Sequence, residues 1–549
     1  VLLAGEPGIG KTRVAAELAR RIHAGGGLVL YGRWEEEALW PFQAVREALS
    51  RYGRSCSRAT LRTELGDGVR ELARLLPELT ERIGGGTPLR ADADTERYRL
   101  FDAVDSWLTE AASRRPVLLV LDDLHWADRP SLLLLQHIMR GRPSSGLMVL
   151  ATYCHTEVHP GSDVWAAMAG FRRMSGFERV PLQGLAAAEV GELVRQVAGQ
   201  PPIPAMGLAD LLRVETGGNP FFLGEMLRHL VELGVVGPDR ASRPSGAIEV
   251  PESVREVVQA RLARLSPACR KVLTAAAVVG AEFDLDVAAA ASGIDEEALL
   301  EGLDEALAAG VILEGPGGSD HYSFAHSVVR KTLHDELSQS RRARLHHRIA
   351  LALEGSRGDG RGHLAELAHH FAQGVAAGGA DKALEYARRA GEQAMREVAY
   401  EAAARQYRRA IDLLDRMDPA ATALRAELLL ALGDAHNRAG EVAAGAAEFL
   451  QAAEAARSLD SPELLAAAAL GLGGVLPASV GPDPRAQALL EEALTRLGTG
   501  DSRPRALALG RLAHWMHHAG LRKERAALCE EAIPMARRLS DRATLAAVL

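Results

Sequence analysis

The segment Gly5-Glu6-Pro7-Gly8-Ile9-Gly10-Lys11-Thr12, following directly on the apolar run Val1-Leu2-Leu3-Ala4, constrains this chain more than any other. It has the form G-x-x-x-x-G-K-T of a P-loop, and a helical pattern follows from about Lys11 to Ile22. Gly8 and Gly10 lack a Cβ, so the backbone can curl there and aim its N–H groups at phosphate oxygens. The N-terminus of the next helix adds partial positive charge. Lys11 supplies a cation for the β- and γ-phosphates. At an effective dielectric of about 20, one such charge pair about 4 Å apart is worth about 4 kcal/mol. Thr12 is expected to ligate Mg²⁺ through its hydroxyl. The nucleotide-binding stretch therefore comprises Gly5, Glu6, Pro7, Gly8, Ile9, Gly10, Lys11, Thr12 and Arg13. The ligand it implies is a nucleoside triphosphate with Mg²⁺, ATP first, with ADP as its product.

Pro116-Val117-Leu118-Leu119-Val120-Leu121-Asp122-Asp123 reads as an apolar strand ending in two carboxylates, the form of a Walker B element. Asp122 is the expected Mg²⁺ ligand, with Thr12, directly or through water. Asp123 is the candidate to orient or deprotonate an attacking water, so Asp123 and Lys11 are the catalytic pair. A third apolar run, Leu147-Met148-Val149-Leu150-Ala151-Thr152, precedes Tyr153-Cys154-His155. Thr152 is placed either to donate a hydrogen bond to a γ-phosphate or simply to end a strand.

The remaining pattern gives the architecture. Strands at Val1–Ala4, Leu28–Tyr31, Val117–Leu121 and Leu147–Thr152 alternate with amphipathic helices, which predicts an α/β domain with a parallel sheet over residues 1–180. Residues 181–245 read as helices broken at Gly217–Pro220, then a Gly/Pro/Ser-rich linker over Gly237–Gly246. Residues 246–352 read as helices, including a buried one at Val272–Ala281, followed by a β-hairpin around Gly315–Gly318, the outline of a winged helix. A Gly-rich break at Gly355–Gly362 closes that region. From 353 to 549 the chain is helical and repetitive, with Ala410, Ala452, Ala493 and Ala532 recurring at spacings of 42, 41 and 39 within similar segments. Leu432-Gly433, Phe449 and Ala452 stand at tetratricopeptide offsets, although that repeat is usually about 34 residues long. The alternatives are a tetratricopeptide-like solenoid with long units and a generic Ala-rich bundle. The chain begins inside a strand pattern and stops inside a helical one, so both ends read as cut.

Composition narrows the partners. A net charge of -8 gives no support for a nucleic-acid or membrane surface. The four cysteines, Cys56, Cys154, Cys269 and Cys529, are far apart, which fits a reducing, cytoplasmic setting and argues against a disulfide framework. No apolar run reaches the length of a membrane span.

With these elements in place, three motifs carry a resemblance: Gly5–Arg13, Leu121-Asp122-Asp123-Leu124-His125-Trp126-Ala127-Asp128 and Thr216-Gly217-Gly218-Asn219-Pro220-Phe221-Phe222-Leu223. The chain resembles the signal-transducing STAND class of AAA+-related ATPases, and within it the multidomain regulators of actinobacteria: large ATP-binding LuxR-type activators, regulators with a bacterial transcriptional activator domain, and cyclases linked to an ATPase. Tyr322–Arg330 also resembles a segment of that class's winged-helix region. The resemblance implies a nucleotide-binding domain, helical lid, winged helix and tetratricopeptide-like sensor. It implies a switch that is compact with ADP and opens and self-oligomerises with ATP when an inducer or protein partner binds the repeats. By this analogy Pro220 packs near the adenine, against the alternative of an ordinary Asn-Pro helix start. His326 likewise either contacts phosphates or is a core histidine. Relatives carry Arg where this chain has Cys154, which implies competent binding with slow hydrolysis. They also carry a segment before the P-loop strand that helps form the adenine pocket.

Three functions follow. A regulatory ATPase switch within a transcriptional regulator would touch DNA only through a domain outside this sequence. The same module attached to a nucleotide cyclase is the second. A metabolic kinase is the third, with no recognisable acceptor site. Two histidine groups have plainer readings. His514, His517 and His518 beside Trp515 read as a polar helix face, and Arg341, Arg342, Arg344, His346 and His347 read as a solvated face or an intramolecular contact.

Overall fold

The computed structural model describes all residues except 37–39, 85–87, 89–91, 141–145, 199–204, 233–253, 316–319, 358–362, 474–483 and 519–521. The linker expected at Gly237–Gly246, the tip of the hairpin and the end of the 355–362 break lie outside the described residues. Two compact units divide the chain: Val1–Arg90 with Tyr98–Gly379, and Ala91–Arg97 with Ala380–Leu549.

In the first unit, β1 (Leu2–Gly5), β2 (Leu28–Arg33), β3 (Val117–Asp122), β4 (Leu147–Cys154) and β5 (Arg179–Pro181) form one sheet in the order β2-β3-β4-β1-β5. Every pairing is parallel. All six residues of β3 are buried, as a central strand covered on both faces requires. The helix Lys11–Ala24 packs Ala15, Leu18, Ala19 and Ile22 against Leu3, Leu118, Val120 and Leu150. Four strands fall where the apolar runs placed them. The fifth is three residues long and too short to show a pattern, yet it pairs with β1 and carries the sheet to residue 181. β4 also runs two residues beyond Thr152, through Cys154.

After the sheet come the helices Ala187–Ala198, Ala205–Thr216 and Pro220–Glu232, which bury Val190, Leu212, Leu223 and Leu230 against one another. A further cluster joins the helices Pro267–Val279, Leu285–Ser292 and Glu296–Ala308 to a three-stranded antiparallel sheet. That sheet is β6 (Glu282–Asp284), β7 (Ile312–Glu314) and β8 (His321–Phe324), in the order β6-β8-β7. The boundary expected after residue 352 falls inside the helix Gln339–Arg357, and the helix Leu364–Gln373 packs on it within the same unit. Gly355 lies exposed in the last turn of that helix, where a glycine costs at most about 1 kcal/mol.

The second unit is built of helices, Ala380–Arg396 through Arg542–Val548, in which sequence neighbours pack pairwise. An α/β P-loop domain followed by a helical solenoid is thus the fold. The recurring alanines have a common role. Ala410, Ala452, Ala493 and Ala532 are all buried, each on the later helix of a pair. The pairs close over glycine. A Cβ on Gly391 would lie 2.7 Å from the Tyr407 ring, and one on Gly433 2.9 Å from the Phe449 ring. The small residue admits the aromatic, and the two contacts are one repeat apart.

Candidate functional site

β4 lies between β1 and β3 in the sheet, so the C-terminal ends of these three strands meet in one place. Open parallel sheets place ligands at that edge. The P-loop leaves β1 through Gly8 (φ 81°) and Gly10 (φ 101°), both in the left-handed region that glycine tolerates, and Gly10 caps the following helix. Lys11 is buried and folds back on its own loop, donating from Nζ to Gly5 O at 3.1 Å and Glu6 O at 2.9 Å.

Asp122 is fully buried at the end of β3. Its Oδ2 accepts from the Thr12 hydroxyl at 2.9 Å and from the Tyr31 hydroxyl at 3.3 Å, and its Oδ1 accepts from the Thr152 hydroxyl. Burial and the adjoining Asp122 push the Tyr31 phenol up. The pair Thr12 and Asp122 fits Mg²⁺: two ligands about 2.1 Å from an octahedral ion and at right angles lie about 2.9 Å apart, which is the observed separation of the two oxygens.

Thr152 has no exposed surface and does not reach the cavity at this edge. Its hydroxyl donates to Asp122 and accepts the Asp123 N–H at 3.0 Å. Because β4 is the strand between, Thr152 steadies the carboxylate pair from behind rather than pointing at a ligand.

Asp123 has a left-handed backbone (φ 61°) and pairs with Arg33 Nε at 2.9 Å. Burial raises the Asp123 carboxyl, opposed by the Arg33 guanidinium. Burial in turn disfavours the Arg33 charge, but Asp123, Tyr31 and Asp122 together outweigh it and hold the guanidinium above its ordinary value. Next to them His125 accepts the Cys154 N–H at Nδ1 (3.3 Å) and meets Glu157 through Nε2 (3.1 Å), which lowers the Glu157 carboxyl. Cys154 is buried, with Sγ 3.0 Å from the Thr156 hydroxyl.

The helical region closes on the P-loop from the other side. Asn219 is 1% exposed; its Nδ2 donates to Pro7 O at 2.9 Å, while its Oδ1 accepts from Phe221 N at 3.2 Å. Phe221 N also approaches Gly8 O at 3.4 Å, and a Cβ on Gly8 would come within 2.8 Å of Phe221 Cβ. The Phe221 ring stacks on His326, with centroids 3.5 Å apart. Burial, then the nearby Lys11 and Arg33 cations, pull His326 down to about 4, and its buried Nδ1 has no hydrogen-bond partner among the described residues.

A cavity of about 410 Å³ results. Pro7, Gly8, Gly10, Lys11, Thr12 and Arg13 form its floor. Asp123, His125, Cys154 and Glu157 border it on the sheet side, and His326 and Lys331 face them. Gly5, Glu6, Ile9, Asp122 and Pro220 are not among its lining residues. Gly5 and Glu6 instead hold Lys11 through their carbonyls. Pro220 begins the helix Pro220–Glu232 beside this wall, and the neighbours on either side of it, Asn219 and Phe221, make the P-loop contacts. Lys11, Arg13, Arg33 and Lys331 border the space against the carboxylates Glu36, Asp123 and Glu157, and Arg33 is paired with Asp123.

Sequence reading missed Tyr31, Arg33, His125, Glu157, Asn219 and Phe221. For Arg33 no local signal exists: it comes beside Asp122 only when β2 pairs with β3. Asn219 lies inside the Thr216–Leu223 motif, beside the more conspicuous Pro220.

Residues 1–150 match the AAA ATPase domain family, and a domain of this kind implies nucleotide binding. An uncharacterised protein of Rhizobium meliloti (strain 1021) is 24% identical over 376 residues, which is 65% of this chain and 35% of that protein. The chain thus spans little more than a third of the length of the curated relative it matches. Among solved structures, a Signal Transduction ATPase with Numerous Domains protein with a tetratricopeptide repeat sensor, from Pyrococcus horikoshii, aligns with a TM-score of 0.44 and 14% identity. That alignment covers 100% of this chain and 76% of the other.

Proposed function

We propose that this chain is an ATP-binding, Mg²⁺-dependent signal-transduction ATPase that works as a nucleotide-gated switch, the regulatory core of a transcriptional regulator. The observation that carries the reading is the docking of Asn219 and Phe221 onto the P-loop, with His326 stacked on Phe221. Elements far along the chain rest on the backbone that must receive phosphate. A ligand that moves the P-loop therefore changes the contacts of the helical region, and differential contact is what lets a ligand shift a conformational equilibrium.

Within this reading Lys11, released from Gly5 and Glu6, meets the β- and γ-phosphates, and the loop N–H groups and Arg13 hold the rest. Thr12 and Asp122 hold Mg²⁺, which supplies charge neutralisation at the phosphates when bound. Thr152 and Tyr31 fix Asp122. Asp123 orients water once Arg33 lets it go; paired with Arg33 it is a restrained base, which suits a slow switch. His326, neutral and with a free Nδ1, accepts or donates one hydrogen bond toward the ligand. Pro220 borders the base.

The domain scheme is then P-loop domain over 1–180, helical lid over 181–245, winged helix over 246–352 and repeats from 353. An inducer or protein partner uses the repeats, self-oligomerisation follows opening, and any DNA contact belongs to a separate domain of a cytoplasmic protein. A cyclase-linked module would use the same residues.

The test is nucleotide titration of the chain and of Lys11→Ala. Equal ATP affinity would defeat the binding claim. Amide exchange at 216–223 and 324–331 that is the same with ADP and with a non-hydrolysable ATP analogue would defeat the switch.

A further inference from the structure

Away from the P-loop, the helices Gln339–Arg357 and Leu364–Gln373 pack side by side and bring three imidazoles together. His346, His369 and His370 are 6%, 5% and 2% exposed. One nitrogen of each lies within 4.8 Å of the others. The ring centroids form a nearly equilateral triangle: 5.4 Å for His346–His369, 5.1 Å for His346–His370 and 5.1 Å for His369–His370.

A tetrahedral Zn²⁺ bound by three imidazole nitrogens at about 2.0–2.1 Å would hold those nitrogens about 3.4 Å apart, and the ring centroids about 5.2 Å apart. The observed triangle has that size. His346 Nδ1 and His370 Nδ1 are already 2.9 Å apart, sharing one hydrogen bond whose proton a metal ion would displace. All three rings line one cavity of about 220 Å³, so a fourth ligand can reach them from open space. Imidazole-only sites suit Zn²⁺ and its first-row neighbours, not Mg²⁺ or Ca²⁺. In the sequence His346 reads as part of a basic helix face with no link to His369 and His370, because only the packing of the two helices brings them together.

We propose that His346, His369 and His370 bind one divalent transition-metal ion, Zn²⁺ by ligand type and geometry, with a fourth position open to the cavity. The ion ties the helix Gln339–Arg357 to Leu364–Gln373. Arg33, Glu36, Trp126 and Lys331 line both this cavity and the one at the P-loop, so the metal lies one wall away from the nucleotide pocket. The proposal stands apart from the ATPase reading, since none of the three histidines belongs to that site.

The full chain, stripped with a chelator, is titrated with Zn²⁺ alone against a chromophoric competitor. Wild type should take up one tight equivalent. His369→Gln and His346→Gln should each weaken it by about tenfold or more, with the metal-free circular dichroism unchanged. Asp122→Asn should keep it, which separates this site from the Mg²⁺ position. Binding that is absent in wild type, equal in the histidine variants, or lost in Asp122→Asn overturns the assignment. Should a histidine variant misfold, Co²⁺ added to wild type decides: intense visible bands of a tetrahedral centre support the site, and the pale octahedral spectrum overturns it.

Discussion

Asn219→Ala removes a side chain that ties the P-loop to the helix Pro220–Glu232 by hydrogen bonds at both ends. Nδ2 donates to Pro7 O at 2.9 Å and Oδ1 caps the helix at Phe221 N. The amide orientation follows from its partners, since one is a carbonyl and the other an N–H. A buried hydrogen bond contributes about 0.5–1.5 kcal/mol and an N-cap about 0.5–2 kcal/mol, and at 1% exposure water does not replace either. Together the loss is about 1–3.5 kcal/mol. It falls on local opening of the P-loop, so amide exchange there should speed up about fivefold or more. The assay is exchange followed by mass spectrometry on peptides covering residues 5–12 and 216–227 in nucleotide-free protein. Asn219→Asp keeps the capping acceptor but sets a carboxylate against the Pro7 carbonyl. It should therefore accelerate exchange at 5–12 while leaving the start of the helix protected. Wild-type exchange rates at 5–12 in Asn219→Ala would refute the view that this contact couples the two regions.

Other perturbations test the same site. Cys154→Arg restores a cation beside Asp123 and His125. An arginine serving a transferring phosphoryl group is worth about 10³–10⁵ in rate, so steady-state ATP turnover should rise at least about tenfold, and unchanged turnover removes the argument for slow hydrolysis. Gly8→Ala combines a left-handed φ of 81° with a contact 2.8 Å from Phe221 Cβ. The strain is about 1–2 kcal/mol before repacking, and calorimetry should show weaker nucleotide binding and a lower melting temperature. His326 titrates near 4 when folded against about 6.5 when unfolded. The unfolded chain therefore binds the extra proton between those values, and the stability present at neutral pH is lost as pH falls through about 6.5 toward 4. His326→Gln should lessen that acid loss by about 2–3 kcal/mol in denaturant melts at pH 7.5 and 4.5; parallel losses in the two proteins would contradict the burial argument.

Some of this site was legible because its chemistry is local. A phosphate cradle needs glycine, lysine and threonine at fixed spacing, so Gly5 to Thr12 declares itself in the sequence. A carboxylate at the end of an apolar run does the same for Asp122. Thr152 was visible as a polar strand end, but its direction depends on strand order. Only with β4 between β1 and β3 does its hydroxyl face Asp122 instead of a ligand. Pro220 stood out as a helix start, yet Asn219 beside it carries the contact, because the amide has a donor and an acceptor and proline has neither in its side chain.

The sequence by itself determined the four longer strands of the parallel sheet, where phosphate can be received, and that the C-terminal part repeats. These properties follow from periodicity and from short-range backbone demands. The alanine period was readable, while the seating of Tyr407 on Gly391 and of Phe449 on Gly433 was not. Tertiary structure alone decided the pairing of Arg33 with Asp123, the clasp of Asn219 on Pro7 and the stacking of Phe221 on His326. It alone also gathered His346, His369 and His370. The partners in each set come from different segments, up to 212 residues apart for Asn219 and Pro7. Their meeting depends on how the chain closes on itself, and no local pattern encodes that.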